Sequence, residues 1–243
     1  TNTNHIEGVN YVYGNSWEIN ELEKHDIVFH FGEYSRVVPS FKDTLYLFKS
    51  NLYGTSKVIE QCKKWKAKLI YSASSSKFGN NENLSPYSWV KSKIVELIKN
   101  YGEWFGLNYE ICYFYNVYGK NHINNGNYAT VIGIFEKQYE NGEELTITGD
   151  GFQRRDFTHI DDIVDGMILT AECETSWETI ELGRGNNHSI NELAEMFGCG
   201  FTYIPARPGE AKETLCNTLI SKRLIGYEPT RNLEDYVKEV TKV

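Results

Sequence analysis

Tyr87 and Lys91 stand four residues apart, the spacing that puts two side chains on one face of a helix. A helix is expected there. Ser85 is a good N-cap and Pro86 suits the first helical position, and Val90, Ile94, Leu97, Ile98, Tyr101 and Phe105 recur at three-and-four spacing before Gly106. Just upstream, the apolar run at 69–72 ends in the hydroxyl cluster Ser72-Ala73-Ser74-Ser75-Ser76. Ligands of parallel sheets sit beyond the C-terminal strand ends, so Ser74 and Tyr87 are expected to converge there. Such a trio makes a proton-transfer site. A free phenol ionises near pH ~10, too high for a base at neutral pH, and a neighbouring ammonium favours the phenolate. Lys91 can supply that charge, while Ser74 holds the same substrate oxygen that Tyr87 deprotonates. A Tyr-x-x-x-Lys pair alone is a weak signal, because both residues are common on helix surfaces.

The elements that would position this trio follow an α/β pattern. Short apolar runs at 9–13, 27–31, 69–72, 110–115, 145–148, 179–182 and 201–204 alternate with longer helical stretches, the sign of a parallel sheet covered by helices. A second long helix is expected over 45–65, although Gly54 lowers its propensity. After Gly119 the Asn-rich stretch 120–127 reads as a surface loop before a helix near 130–139. These shifts divide the chain into one domain of residues 1–118 and 151–185 and a smaller one of 119–150 and 186–243.

The whole chain sets further bounds. Its 243 residues, 40% hydrophobic, are ample for a buried core. A formal charge of -8 with scattered Lys and Arg argues against a nucleic-acid surface, which needs a concentrated basic face. Phosphorylated small molecules need only one or two well-placed arginines. No run approaches the roughly 18 apolar residues of a membrane span. The polar start Thr1-Asn2-Thr3-Asn4-His5 lacks a signal-peptide layout, so a cytoplasmic protein without membrane contact is expected. Cys62, Cys112, Cys173, Cys199 and Cys216 form no CxxC pair; they read as reduced structural thiols, and no metal is expected.

Several segments resemble the extended short-chain dehydrogenase/reductases, in particular the NAD-dependent nucleotide-sugar epimerases and dehydratases. They are Asp26-Ile-Val-Phe-His-Phe-Gly32, Asn51-Leu-Tyr-Gly-Thr55, the stretch 72–79, Ser85-Pro-Tyr-Ser-Trp-Val-Lys91, Tyr115-Asn-Val-Tyr-Gly119, Gly149-Asp-Gly-Phe-Gln-Arg-Arg-Asp156 and Arg207-Pro-Gly-Glu210, all in family order. The resemblance implies a Rossmann-like doubly wound sheet with a smaller substrate domain. Tyr87 is then the catalytic base, Lys91 the residue that binds the nicotinamide ribose and favours ionisation of Tyr87, and Ser74 the hydroxyl on the sugar. Phe31, Gly32, Ser35, Asn51, Ser72, Phe114 and Val117 match positions that line NAD, and Asn15 and Ser16 match positions near its adenine. Asn116, Arg155 and Arg207 match residues that hold the diphosphate of a sugar nucleotide, most simply a UDP-sugar. The two long helices match those that pair relatives into homodimers.

The reaction so implied is epimerisation. Tyr87 removes a hydroxyl proton while NAD accepts hydride from the same carbon, and the ketosugar turns over before the hydride returns. A 4,6-dehydratase would carry Asp-Glu directly after the catalytic hydroxyl residue, where this chain has Ser75 and Ser76. A ketoreductase uses the same Ser, Tyr and Lys. No glycine-rich turn between strand and helix qualifies as a pyrophosphate cradle: Gly183-Arg184-Gly185 comes nearest, and His188 stands where a third glycine belongs. The expectation is therefore that a preceding segment or a separate polypeptide completes the cofactor site. A non-catalytic remnant that only binds nucleotide sugars is the rival reading.

Overall fold

A computed structural model describes residues 5–19, 22–80, 82–174 and 179–241. The polar start at 1–4 lies outside the described residues, as do 20, 21, 81, 175–178, 242 and 243.

In chain order the first elements are β1 (Ile27–His30), α1 (Val37–Ser40), α2 (Thr44–Leu47), a π-turn (Phe48–Tyr53) and α3 (Gly54–Trp65). Then come β2 (Lys68–Ser74), α4 (Pro86–Phe105), β3 (Tyr109–Phe114), β4 (Asn116–Tyr118), α5 (Val131–Glu140), β5 (Leu145–Thr148) and β6 (Arg154–His159). The chain continues through α6 (Ile160–Glu172), β7 (Thr179–Leu182), β8 (Asn187–Ser189), α7 (Ile190–Phe197), β9 (Phe201–Ile204), α8 (Thr218–Ile225) and α9 (Leu233–Thr241).

The main sheet runs β1-β2-β3-β7 with every pair parallel. Its side chains alternate between two cores, as the pleat requires. Leu69, Tyr71, Ile111 and Tyr113 pack with α3 and α4 on one face, and Ile70, Cys112, Ile180 and Leu182 pack with α6 on the other. This doubly wound α/β arrangement is the expected one. A third core joins α5, α7 and α9 to the parallel pair β5 and β9. Between the cores, β4 pairs parallel with β6, which pairs antiparallel with β8.

The expected strand at 9–13 does not form. Val9, Tyr11, Val12 and Tyr13 are exposed whatever their parity, and among the described residues no strand pairs with the segment. The expected helix at 45–65 forms as α2, the π-turn and α3 in continuity. Gly54 is accommodated because Ser16 crosses the helix there: a Cβ would lie 2.2 Å from the Ser16 Oγ.

Candidate active site

The cleft that holds the predicted trio lies where β1, β2 and β3 end. Strand β2 delivers Ser72 and Ser74, and a 3-10 turn leads on to α4. The Ser85 Oγ accepts the Ser88 N–H at 3.1 Å, with Pro86 in the first turn, so the helix start is capped as its sequence suggests. That cap fixes Tyr87, whose backbone N–H donates to the Ser40 Oγ at 3.3 Å. One turn on, Lys91 is 6% exposed at the floor of the cleft.

The ammonium of Lys91 is held by a buried polar network. It donates to the Glu33 carboxylate and the Ser72 carbonyl and stands 4.4 Å from the centre of the Tyr71 ring. Glu33, only 3% exposed, also accepts from the Thr55 hydroxyl at 2.6 Å and the Tyr71 hydroxyl at 3.1 Å. Since Thr55 gives its one proton to Glu33, the Thr55 oxygen accepts from the His30 Nε2 at 2.8 Å, which assigns the His30 proton to Nε2. Burial pushes the His30 pKa down to about 4, against the pull of Glu33. Burial, reinforced by Glu33, holds the Tyr71 phenol well above its ordinary range. Two of the three Lys91 N–H donors are thus engaged, leaving one for a ligand.

A cleft of about 650 Å³ opens beside this floor. Ser74, Tyr87 and Lys91 line it together with Ser72, Phe31 and Ser35. Phe114, which pairs with Ser74 across the β2–β3 ladder, lines it too, with Asn116, Val117, Arg155 and Arg207. Phe31 and Phe114 stack at 6.0 Å. Arg155 is fixed by its bond to the Arg154 carbonyl at 2.8 Å and faces Glu210 at 4.0 Å; burial lowers its pKa, opposed by Glu210. Arg207 is exposed at the rim. Next to Arg155, the buried Asp156 carboxylate accepts backbone N–H groups of Arg184, Gly185 and Cys216 at 2.8, 2.9 and 3.1 Å, tying β6 to two loops.

Four sequence-predicted residues lie outside this lining. Asn51 is fully buried and exchanges two hydrogen bonds with the Tyr34 backbone at 2.8 and 2.9 Å, so it pins the loop after β1 that carries Glu33, Ser35 and Arg36. Gly32 is exposed at the end of β1 with open space around it. Asn15 is exposed and bonds Glu18 at 2.8 Å, and the Ser16 hydroxyl reaches the Ser50 carbonyl at 3.5 Å. Among the lining residues that the sequence did not single out are the charged Glu33 and Arg36. The signal was available: charged residues immediately after an apolar strand, where a parallel sheet presents its ligand.

The residues present fit the nicotinamide end of NAD. Lys91 keeps an N–H for a ribose hydroxyl, and Phe31 and Phe114 offer flat apolar surface. Among the described residues no strand, glycine-rich turn and helix meet to cradle a pyrophosphate.

Comparison with known proteins agrees with this geometry. The profile of the NAD dependent epimerase/dehydratase family matches residues 5–183. A UDP-N-acetyl-alpha-D-glucosaminuronate decarboxylase of Bacillus cytotoxicus is 28% identical over 191 residues, 72% of this chain and 59% of that protein. A putative UDP-glucose 4-epimerase of Methanocaldococcus jannaschii is 29% identical over 234 residues, 88% of this chain and 75% of its own. Among solved structures, the UDP-glucuronic acid 4-epimerase of Bacillus cereus, in complex with UDP-glucuronic acid and NAD, superposes with a TM-score of 0.81 at 28% identity, covering 89% of this chain and 74% of that one.

Proposed function

Because this chain belongs to the NAD dependent epimerase/dehydratase family, we propose that it inverts a stereocentre of a nucleotide-diphosphate sugar through a transient keto intermediate, with Tyr87 as the base. The observation that carries this reading is the meeting of Tyr87, Ser74 and the locked ammonium of Lys91 in one cleft with Asn116 and two arginines. Ser74 would hold the reacting hydroxyl and Tyr87 take its proton, and Arg155 and Arg207 would grip the diphosphate through charge-assisted hydrogen bonds. NAD, when bound, would accept hydride from the carbon bearing that hydroxyl and return it to the opposite face. The uridine nucleotide is the favoured choice, on the names of the relatives.

The residues just after Ser74 favour epimerisation over 4,6-dehydration. The Ser74 Oγ accepts from the Ser76 N–H at 3.3 Å and the Ser76 hydroxyl at 2.9 Å, and Lys77 reaches the Tyr113 hydroxyl at 3.2 Å. A hydroxyl ladder therefore stands where elimination would need a carboxylic acid and a carboxylate, and Glu33 is committed to Lys91. A ketoreductase remains the runner-up, since it needs no group that this cleft lacks.

The cradle for the cofactor's pyrophosphate would be supplied by a strand, glycine-rich turn and helix docked along β1, from this polypeptide or another. Ile27 and Phe29, exposed in alternation on the edge strand β1, support this, as does Phe31, exposed just beyond it. A homodimer through α4 and the α2–α3 helix is likewise proposed, on the exposure of Trp104, Leu45 and Tyr53.

The test is to incubate the chain with NAD and UDP-sugars, with and without such a segment, and to follow the sugar by NMR. An epimer is expected, and the Tyr87→Phe variant should form none while still binding the sugar nucleotide. Sugar-nucleotide binding with no epimer and no transient NADH under either condition would favour a binding remnant instead.

A further inference from the structure

Arg36 has no place in the chemistry assigned so far, yet it lines the same cleft as Tyr87. Its guanidinium is half-buried. Among the described residues its hydrogen bonds go to carbonyl oxygens, those of Ser35 at 3.1 Å and Tyr128, and its centre sits 5.7 Å from the Tyr128 ring. No carboxylate of the described residues pairs with it. The two acids that line the cleft are engaged elsewhere, Glu33 by Lys91 and Glu210 opposite Arg155. The Nε of Arg36 is buried without a hydrogen-bond partner. Burial pushes its pKa down, and the phenols of Tyr87 and Tyr128 are the groups near enough to oppose that.

A half-buried guanidinium that pairs with no carboxylate of the described residues and keeps a buried Nε without an acceptor is stabilised most by an anion. Its position narrows which anion. The reacting carbon must sit against Tyr87, and Arg36 lines the same cleft from the loop after β1, which places it toward the hexose. The diphosphate is already provided with Arg155 and Arg207.

We propose that Arg36 binds a carboxylate carried by the sugar, so that this site prefers a nucleotide-linked acidic sugar, of the uronic acid kind, over its neutral counterpart. The inference rests on the nucleotide-sugar reading of the cleft. It makes Arg36 a specificity-determining residue, and a guanidinium suits the role because its planar fork matches a carboxylate.

The test is calorimetric binding to the chain, with NAD present and absent, using UDP, UDP-glucose and UDP-glucuronate as probes. Arg36→Met would be compared with wild type after both give the same far-UV spectrum and a cooperative melt. The wild type should bind UDP-glucuronate about tenfold or more tighter than UDP-glucose, the size of one charge-assisted pair. Arg36→Met should erase that preference and leave UDP affinity as it was. Equal affinity of the wild type for the two sugar nucleotides overturns the proposal alone. Loss of UDP affinity in Arg36→Met also overturns it, by assigning Arg36 to the diphosphate. Failure of all three probes to bind overturns the nucleotide-sugar reading itself, and this proposal with it.

Discussion

Lys91 and Glu33 illustrate how a buried ion pair can serve geometry. Each would be costly alone at this depth, and together they share Ser72, Tyr71 and Thr55 as hydrogen-bonding neighbours. Removing one partner leaves the other charged and unpaired. The Glu33→Ala variant should therefore lose about 3 kcal/mol of stability in denaturant titration. The double variant Glu33→Ala/Lys91→Met should recover part of that loss, and a double variant as unstable as the sum of the singles would dissolve the pairing argument. His30 gives a pH-dependent prediction. Its folded pKa of about 4 lies below the unfolded value of 6.5, so the unfolded chain takes up a proton that the native one refuses. Stability should fall as pH drops from about 6.5 towards 4, by up to roughly 3 kcal/mol from this group, and be indifferent to it above that window. Replacing His30 with Gln should flatten the slope, measured as melting temperature against pH. The trio Ser74, Tyr87 and Lys91 was legible from spacing and type because its elements are local: one strand end and one capped helix start. Glu33 and Arg36 stand where a parallel sheet presents its ligand, but what each pairs with was not legible, because the partners lie 58 and 92 residues away, at Lys91 and Tyr128.

At the scale of elements, the helix that carries Tyr87 was readable to the residue, with Ser85 and Pro86 at its start and Gly106 at φ 66° at its end. The inner strands β2 and β3 were equally plain, since burial on both faces leaves continuous apolar runs. The segment 9–13 shows the converse: β-branched and aromatic residues suit a strand, and without a partner they make none. Strands β4, β6 and β8 were missed because they are short or polar; β6 carries Arg154, Arg155 and Asp156, the last of which anchors two loops. One element end depends on a single buried side chain. Lys68 at the start of β2 donates to the carbonyls of Thr170 and Cys173 at 2.8 and 2.7 Å, closing the C-terminus of α6. Lys68→Met should leave those carbonyls unsatisfied and lower stability by about 2 kcal/mol, read from the melting transition, with the α6 amides losing exchange protection first.

The whole molecule is asymmetric about its site. Residues of β6 and of the loop from Arg207 to Glu210 line the cleft, whereas β1 leaves an outer edge with Ile27, Phe29 and the adjoining Phe31 exposed. If a strand, turn and helix cover that edge when NAD binds, the outward amides of β1 should exchange freely in the chain and become protected when such a segment is supplied; β2 and β3 should be protected in both states. Unchanged exchange would remove the proposed docking. The central claim is tested most directly by the fate of the sugar. NMR of a UDP-sugar incubated with NAD and the chain, completed along β1, should reveal its epimer with the wild type and none with Tyr87→Phe, although the variant retains the ligand. Equal conversion by Tyr87→Phe would contradict the account.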